Sequence, residues 1–309
     1  MILKTQFTPR SMWPYARFEL AVGAASGVAA WALVDEARLR WVTLPPVLAT
    51  VLGTALSILL AVRVNTGYQR WWEASAIWAQ ITALSRTLAR VVMAVGDSKR
   101  VTAPHPEAIV TFQRGMIEGQ IAWVNALRLQ LRGQSDWASL ESHLSAAEFR
   151  RVSAADNKAG LLLQLHSQRI FQAYAAGVLS GLDNFQMEVV LAALAQQQAL
   201  AERTKGQPVP RVYDIFSRYF VHLYVVIFPF AVIGSLPRDR WMVIPATLIL
   251  AFAFRIVERI GAVVENPFEH TAQDVPLTAI CLTIERDVLE QLGDAQRPPA
   301  PQPREGYLY

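Results

Sequence analysis

With 53% hydrophobic and only 17% charged residues in 309 positions and a mean hydropathy of +0.24, the chain departs from the roughly 25% charged residues of an average soluble domain and reads as a membrane protein. The formal charge of +4 is small and spread without a dense basic run, which gives nucleic-acid binding little support. The single cysteine, Cys281, excludes an internal disulfide and a cysteine-based metal site and reads as a packed core thiol.

In chain order, Leu20 to Val34 is uncharged but short and rich in Ala and Gly, marginal alone for a bilayer core that needs about 20 residues. Trp41 to Val62 is uncharged throughout and long enough, with Pro45 and Pro46 near the start, where a helix tolerates them. Tyr219 to Leu236, interrupted only by His222 and Pro229, and Trp241 to Phe254, continuing toward Val264, read as a helical hairpin. Pro237, Arg238, Asp239 and Arg240 form its polar turn. No cleavable signal peptide is read before the first run. An even number of spans puts both termini on one side, and Lys4, Arg10 and Arg17 favour the cytoplasm, although Arg38 and Arg40 in the first loop oppose them.

Between the second and third spans lies a segment too polar to span and too apolar to be disordered. Phe112, Met116, Ile117, Ile121, Val124 and Leu127 recur at helical spacing, as do Leu161, Leu165, Ile170 and Tyr174, and Met187, Val190, Leu191 and Leu194. These stripes predict the core of a helical cytosolic domain, bounded by Pro104 and Pro106 and by Gly206 to Pro210. After the fourth span, Asp274 is placed to cap a helix striped by Leu277, Ile280, Cys281, Ile284 and Val288. The expected organisation is 1–67 with the first two membrane helices, 68–211 cytosolic, 212–264 with the last two, 265–292 a cytosolic turn and helix, and 293–309 a Pro-rich disordered tail.

Chemistry is scarce. The sequence has no Gly-rich phosphate loop, HExxH pair or GxSxG elbow, and its five histidines lack metal-ligand spacing, so neither enzyme, cofactor nor metal is expected. His222, the ionisable group seen inside a span, reads as a neutral imidazole bonded to a neighbouring helix. Arg255, Glu258 and Arg259 read as a helix end emerging into water.

"GYQRWWEASAIW", "PFAVIGSL" and "ENPFEHTAQDVPLTAICLTIE" together resemble the bestrophins, in particular their bacterial members, over about Arg10 to Leu292. The resemblance implies an all-α membrane protein with four transmembrane helices per subunit and a large cytosolic helical domain, five subunits surrounding one central pore in a homopentamer embedded in lipid. It implies a hydrophobic neck at Thr54, Ile58 and Val62 and a cytosolic aperture at Val209. Asn65 and Gln69 continue the neck face into polar residues. Tyr68, Arg70, Trp71, Trp72 and Glu73, with Asn266, Pro267 and Phe268, are read as architecture. The expected function is an ion channel for small monovalent ions. Arg63 after Val62 and Arg211 after Val209 would place positive charge near each constriction and favour chloride. Either one turned into a carboxylate such as Glu73 or Asp214 leaves no net field. A sodium-conducting pore is the alternative, and a secondary transporter a more distant one. Animal bestrophins bind calcium through an acidic run after the Asn-Pro-Phe block; here only Glu269 and Asp274 carry carboxylates, too few for a calcium clasp of that type.

Overall fold

The computed structural model describes residues 9–100, 106–207, 210–236, 238–271 and 273–303, and the side chains of 9–12 and 211 lie outside that description. Its α-helices are α1 (Pro9–Trp31), α2 (Pro46–Arg100), α3 (Pro106–Arg132), α4 (Ala146–Ala154), α5 (Lys158–Ala175), α6 (Gly181–Gly206), α7 (Arg211–Val232), α8 (Val243–Val264) and α9 (Leu277–Leu292). Four helical stretches are long and apolar enough to cross a membrane: Trp13–Glu36, Arg40–Arg100, Val212–Ser235 and Arg240–Val264.

Two compact units divide the chain. The first, the membrane unit, comprises residues 9–71 and 210–266 and gathers α1, the start of α2, α7 and α8; the second comprises residues 72–207 and 267–303 and is called here the α3–α6 unit, although it also holds α9 and the rest of α2. Helix α2 begins at Pro46, where the missing N–H costs nothing, and has no proline inside its 55 residues, so it runs on without a break.

In the membrane unit Leu56 and Leu60 of α2, Val221, Tyr224 and Val225 of α7 and Ala251 of α8 form a buried cluster. The small residues of α1 explain how so short an apolar run holds its place: a Cβ on Gly23 would lie 3.3 Å from Ala251, and one on Gly27 would lie 3.2 Å from the Ile244 backbone. Small residues at helix contacts let backbones approach where lipid supplies no hydrophobic drive. Helix α1 also starts earlier than the uncharged run predicts and ends in a π-helical turn over Ala32–Glu36. The added first turns bring in Glu19, which is 2% exposed. Its carboxylate lies 2.8 Å from His222 Nδ1 on α7, with the His222 ring stacked on Phe18 at 5.2 Å. His222 is therefore bonded across helices as expected, but a second ionisable group shares the span. In the hairpin turn Arg240 pairs with Asp35 at 3.1 Å, and Pro237 lies outside the described residues.

In the α3–α6 unit the α3 stripe is the core: Met116, Ile117, Ile121, Val124 and Leu127 are all buried. Met187, Leu191 and Leu194 of α6 join it. On α5 the buried face is Leu162, Leu165, His166 and Ile170, whereas Tyr174 points out at 48% exposure. Capping boxes at Ser145 with Glu148 and at Ser180 with Asp183 start α4 and α6, satisfying otherwise orphaned N–H groups. Asp274 does not cap α9. The N-cap is Pro276, which offers no side-chain acceptor, and Asp274 instead accepts from the Thr271 backbone N–H at 3.0 Å and from its hydroxyl. The nearer donors take the carboxylate. Residues 294–303 lack regular secondary structure; within them Asp294 pairs with Arg114 at 3.3 Å, and the Pro298 carbonyl accepts from Arg286.

Candidate ion pathway

Within the membrane unit α2 has two contrasting faces. Leu56 and Leu60 are buried against α7, while Ile58 is 61% and Val62 53% exposed, and Thr54, Asn65 and Gln69 lie exposed on the same side. A four-residue step along a helix keeps Thr54, Ile58 and Val62 on one stripe. Their polarity is internal: Thr54 Oγ1 donates to the Thr50 carbonyl at 2.8 Å, and Ser57 Oγ to Gly53 O at 2.7 Å. Such i−4 bonds commit hydroxyls to the helix's own backbone. The stripe is therefore apolar in effect until Asn65.

Immediately behind Val62 the opposite face carries charge. Arg63 is 6% exposed; its Nη1 donates to Glu258 Oε1 at 2.8 Å and to Ser217 Oγ, and its Nη2 pairs with Asp214 and lies 3.9 Å from Glu265. The chain continues outward, Arg218 onto Asp214 and Arg255 onto the second oxygen of Glu258 at 2.7 Å. Arg255 Nε also donates to the Tyr15 carbonyl at 3.2 Å, so α1, α2, α7 and α8 meet in one network. Burial, against the pull of Arg63 and with a smaller contribution from the Asp214 charge, raises the Glu265 carboxyl above its usual range.

Two expectations change here. Arg63 carries no free positive charge beside the stripe, because buried carboxylates neutralise it; of the two arrangements foreseen for it, the one facing Asp214 is realised. Glu258 is 2% exposed and belongs to this network rather than to a helix end in water. Asp214, 151 residues from Arg63, was among the carboxylates foreseen, whereas Glu258, 195 residues away, was separated by too much chain for spacing to reveal it. The usable signal was the surplus of charged residues flanking three spans at one level.

Glycine allows this junction. A Cβ on Gly67 would lie 2.9 Å from the Gly261 carbonyl, and one on Gly261 would lie 3.4 Å from the Arg63 side chain. Arg70 Nε donates to the Glu265 carbonyl at 2.9 Å, closing the C-terminal end of α8. Tyr68 and Trp71 are stacked at 6.3 Å. In the α3–α6 unit Trp72 is 61% exposed, Glu73 pairs with Arg203, Phe268 is 1% exposed, and the Pro267 carbonyl accepts from Val275 at 3.3 Å. Asn266 is exposed at the end of the membrane unit. Val209 lies outside the described residues, as does the side chain of Arg211.

Comparison with known proteins meets this geometry. The family model described as "Bacterial/Fungal Bestrophin protein" matches residues 16–290. The voltage-dependent anion channel-forming protein YneE of Escherichia coli K12 is 29% identical over 249 residues, covering 81% of this chain and 77% of that protein. A voltage-dependent anion channel-forming protein of Nostoc is 27% identical over 244 residues, covering 79% and 76%. The crystal structure of a bacterial bestrophin homologue from Klebsiella pneumoniae matches with a TM-score of 0.79 at 26% identity, over 91% of this chain and 99% of that one. The motif blocks, the four candidate membrane helices and the match along nearly the whole chain agree, and the chain belongs to the bacterial and fungal bestrophin family.

Proposed function

We propose that this protein is an anion channel of the cell membrane in which copies of the chain, five in number, surround an axis lined by α2. Thr54, Ile58 and Val62 form its hydrophobic neck, Val209 a second narrowing on the cytosolic side, and both termini face the cytoplasm. The observation that carries the reading is the exposed apolar stripe of α2 in a chain that belongs to the bestrophin family. Lipid would accept Ile58 and Val62 as readily as it accepts Ile249, 71% exposed on α8, so what distinguishes this stripe is its continuation into exposed Asn65 and Gln69; around an axis its rings of branched side chains make a constriction that impedes ions by removing their water. The paired state of Arg63 takes one positive ring out of the selectivity argument, so the anion preference rests on the two relatives named as anion channel-forming proteins.

Purified protein in planar bilayers under a potassium chloride gradient tests this. A reversal potential near the chloride equilibrium value is expected. A value at the cation equilibrium potential would overturn the anion reading in favour of a sodium-type pore, coupled flux without ohmic current would favour a transporter, and a monomer or dimer by native mass measurement in several detergents would remove the pentameric pore.

A further inference from the structure

In the α3–α6 unit, two half-buried arginines stand together at the end of one helix without a carboxylate partner among the described residues. Arg128 and Arg132 stand one turn apart at the end of α3, both half-buried, and neither forms an ion pair among the described residues. Their guanidinium groups are held by neutral atoms: Arg132 Nη1 donates to Thr278 Oγ1 at 2.7 Å, and Arg128 Nη1 to Gln134 Oε1 at 3.4 Å. The Nε donors of both are buried without a partner. By contrast Arg86, Arg114, Arg169 and Arg203 of the same unit each meet a carboxylate.

The surroundings sharpen the imbalance. Thr278 is the second residue of α9, so Arg132 is anchored at a helix N-terminus that has no acidic residue in its first turn and no side-chain cap. A helix N-terminus carries partial positive charge, and a guanidinium there is repelled unless an anion lies between them. Burial and the Arg128 charge push the Arg132 pKa down to about 10, and burial and the Arg132 charge lower that of His270. The carboxylate whose charge bears on both Arg132 and His270 is Asp274, already committed to Thr271. Two like charges kept partly out of water with no counter-ion are costly, and a bound anion removes the cost.

We infer that Arg128, Arg132 and His270, with the N-terminus of α9, form a binding site for an oxyanion of the phosphate class. Two guanidinium forks one turn apart suit the several oxygens of such an ion better than a monatomic one. The turn that supplies His270 is the stretch whose sequence is poor in carboxylates, so an anion rather than a metal cation matches it.

Thermal unfolding and titration calorimetry of the full-length protein in lipid-free detergent, with inorganic phosphate against chloride at matched ionic strength, test the site. Phosphate is expected to raise the midpoint by about 2–4 °C. Arg132→Gln and Arg128→Gln are expected to weaken phosphate binding at least about tenfold, with Arg132→Lys intermediate because it keeps charge but loses the fork. His270→Ala, at an exposed position, gives a variant that folds if either arginine change does not, and is expected to weaken binding by about threefold or more. A response in detergent assigns a free anion, and one confined to nanodiscs containing phosphatidic acid, absent with phosphatidylcholine, assigns a lipid headgroup. No response in either, or affinity unchanged in all the variants, overturns the site, as does dissociation of Arg132→Gln into protomers without any phosphate response, which would mean that a neighbouring copy supplies the counter-charge.

Discussion

The two units of the chain bury polarity by different means. In the membrane unit the buried polar groups include ionisable side chains paired across helices, Arg63 with Glu258 and Glu19 beside His222, whereas in the α3–α6 unit they are chiefly amides, hydroxyls and an indole: Gln120 donates to Ser85 at 2.9 Å and Trp123 to Gln198 at 3.2 Å, with Asp274 and His166 the ionisable exceptions. The difference follows from solvent. Where apolar stripes can be withdrawn from water, hydrophobic burial holds the helices and polar bonds need only fix their register. Between helices in lipid that drive is absent, and association rests on close packing at small residues and on polar bonds across helices. Gly23, Gly27, Gly67 and Gly261 supply the first of these and the Arg63 network the second.

The strongest test of the contrast is Arg63→Gln. It removes the buried cation that joins Glu258 to Asp214, leaving Glu258 only Arg255 and Asp214 only Arg218 at the rim of the network, and is expected to cost about 3–5 kcal/mol, read by denaturant unfolding in micelles. Adding Glu258→Gln should recover at least about 1 kcal/mol, since the pair is coupled; a single variant costing under about 1 kcal/mol would mean that the charges do not fasten these helices. Gln198→Leu addresses the other unit. Leaving the fully buried Trp123 Nε1–H unpaired is expected to cost about 1–3 kcal/mol, and a loss as large as that of Arg63→Gln would erase the distinction.

Acid should also act through the α3–α6 unit. Burial, with help from Arg169, pushes the His166 pKa down from 6.5 to about 3. The folded state thus resists a proton that the unfolded chain accepts, so this contribution is fully present above pH 6.5 and is lost progressively as pH falls from there through about 3. His166→Gln is expected to flatten the stability–pH curve over that window, and an unchanged slope would refute the assignment. A smaller stability change is expected for Ile58→Ala on the exposed face of α2, within about 0.5 kcal/mol in unfolding, together with an enlarged single-channel current. Unchanged current in both Ile58→Ala and Val62→Ala would displace the neck. Chelating calcium should change nothing, because Glu269 is paired with Lys205 at 2.6 Å and Asp274 is held by Thr271; activation by micromolar calcium would contradict that.

The layout was legible wherever periodicity or uninterrupted apolar length carried it. The α3 stripe from Met116 to Leu127, the Cys281 stripe of α9 and the hairpin of α7 and α8 all follow from spacing alone. What escaped was set by partners distant in the chain. Glu19 looked like a boundary because charge ends an apolar run, yet His222 on another helix accommodates it. Arg63 stood between a free charge and a partner such as Asp214, and Glu258, 195 residues away, was read as part of a helix end in water. Asp274 had the right residue type and nearly the right position for a cap, but Thr271 offered a closer pair of donors and Pro276 occupied the cap itself.

The Arg63 network also imposes an order on biosynthesis. Arg63 leaves the ribosome long before Glu258, which is 195 residues later, and at about 5–20 residues per second the interval is on the order of 10–40 s. Until Asp214 appears 151 residues later, the first two membrane helices exist with an arginine at the end of an apolar stretch and none of its acids yet made, so its head group must reach toward the interface while residues 72–207 of the α3–α6 unit are synthesised. Only when α7 and α8 arrive can the cation be drawn inward. The membrane unit is therefore completed late, by the hairpin of α7 and α8 closing onto a pair of helices that has been waiting for it, with only α9 and the residues around it still to follow, and truncation before Glu258 leaves Arg63 without that partner.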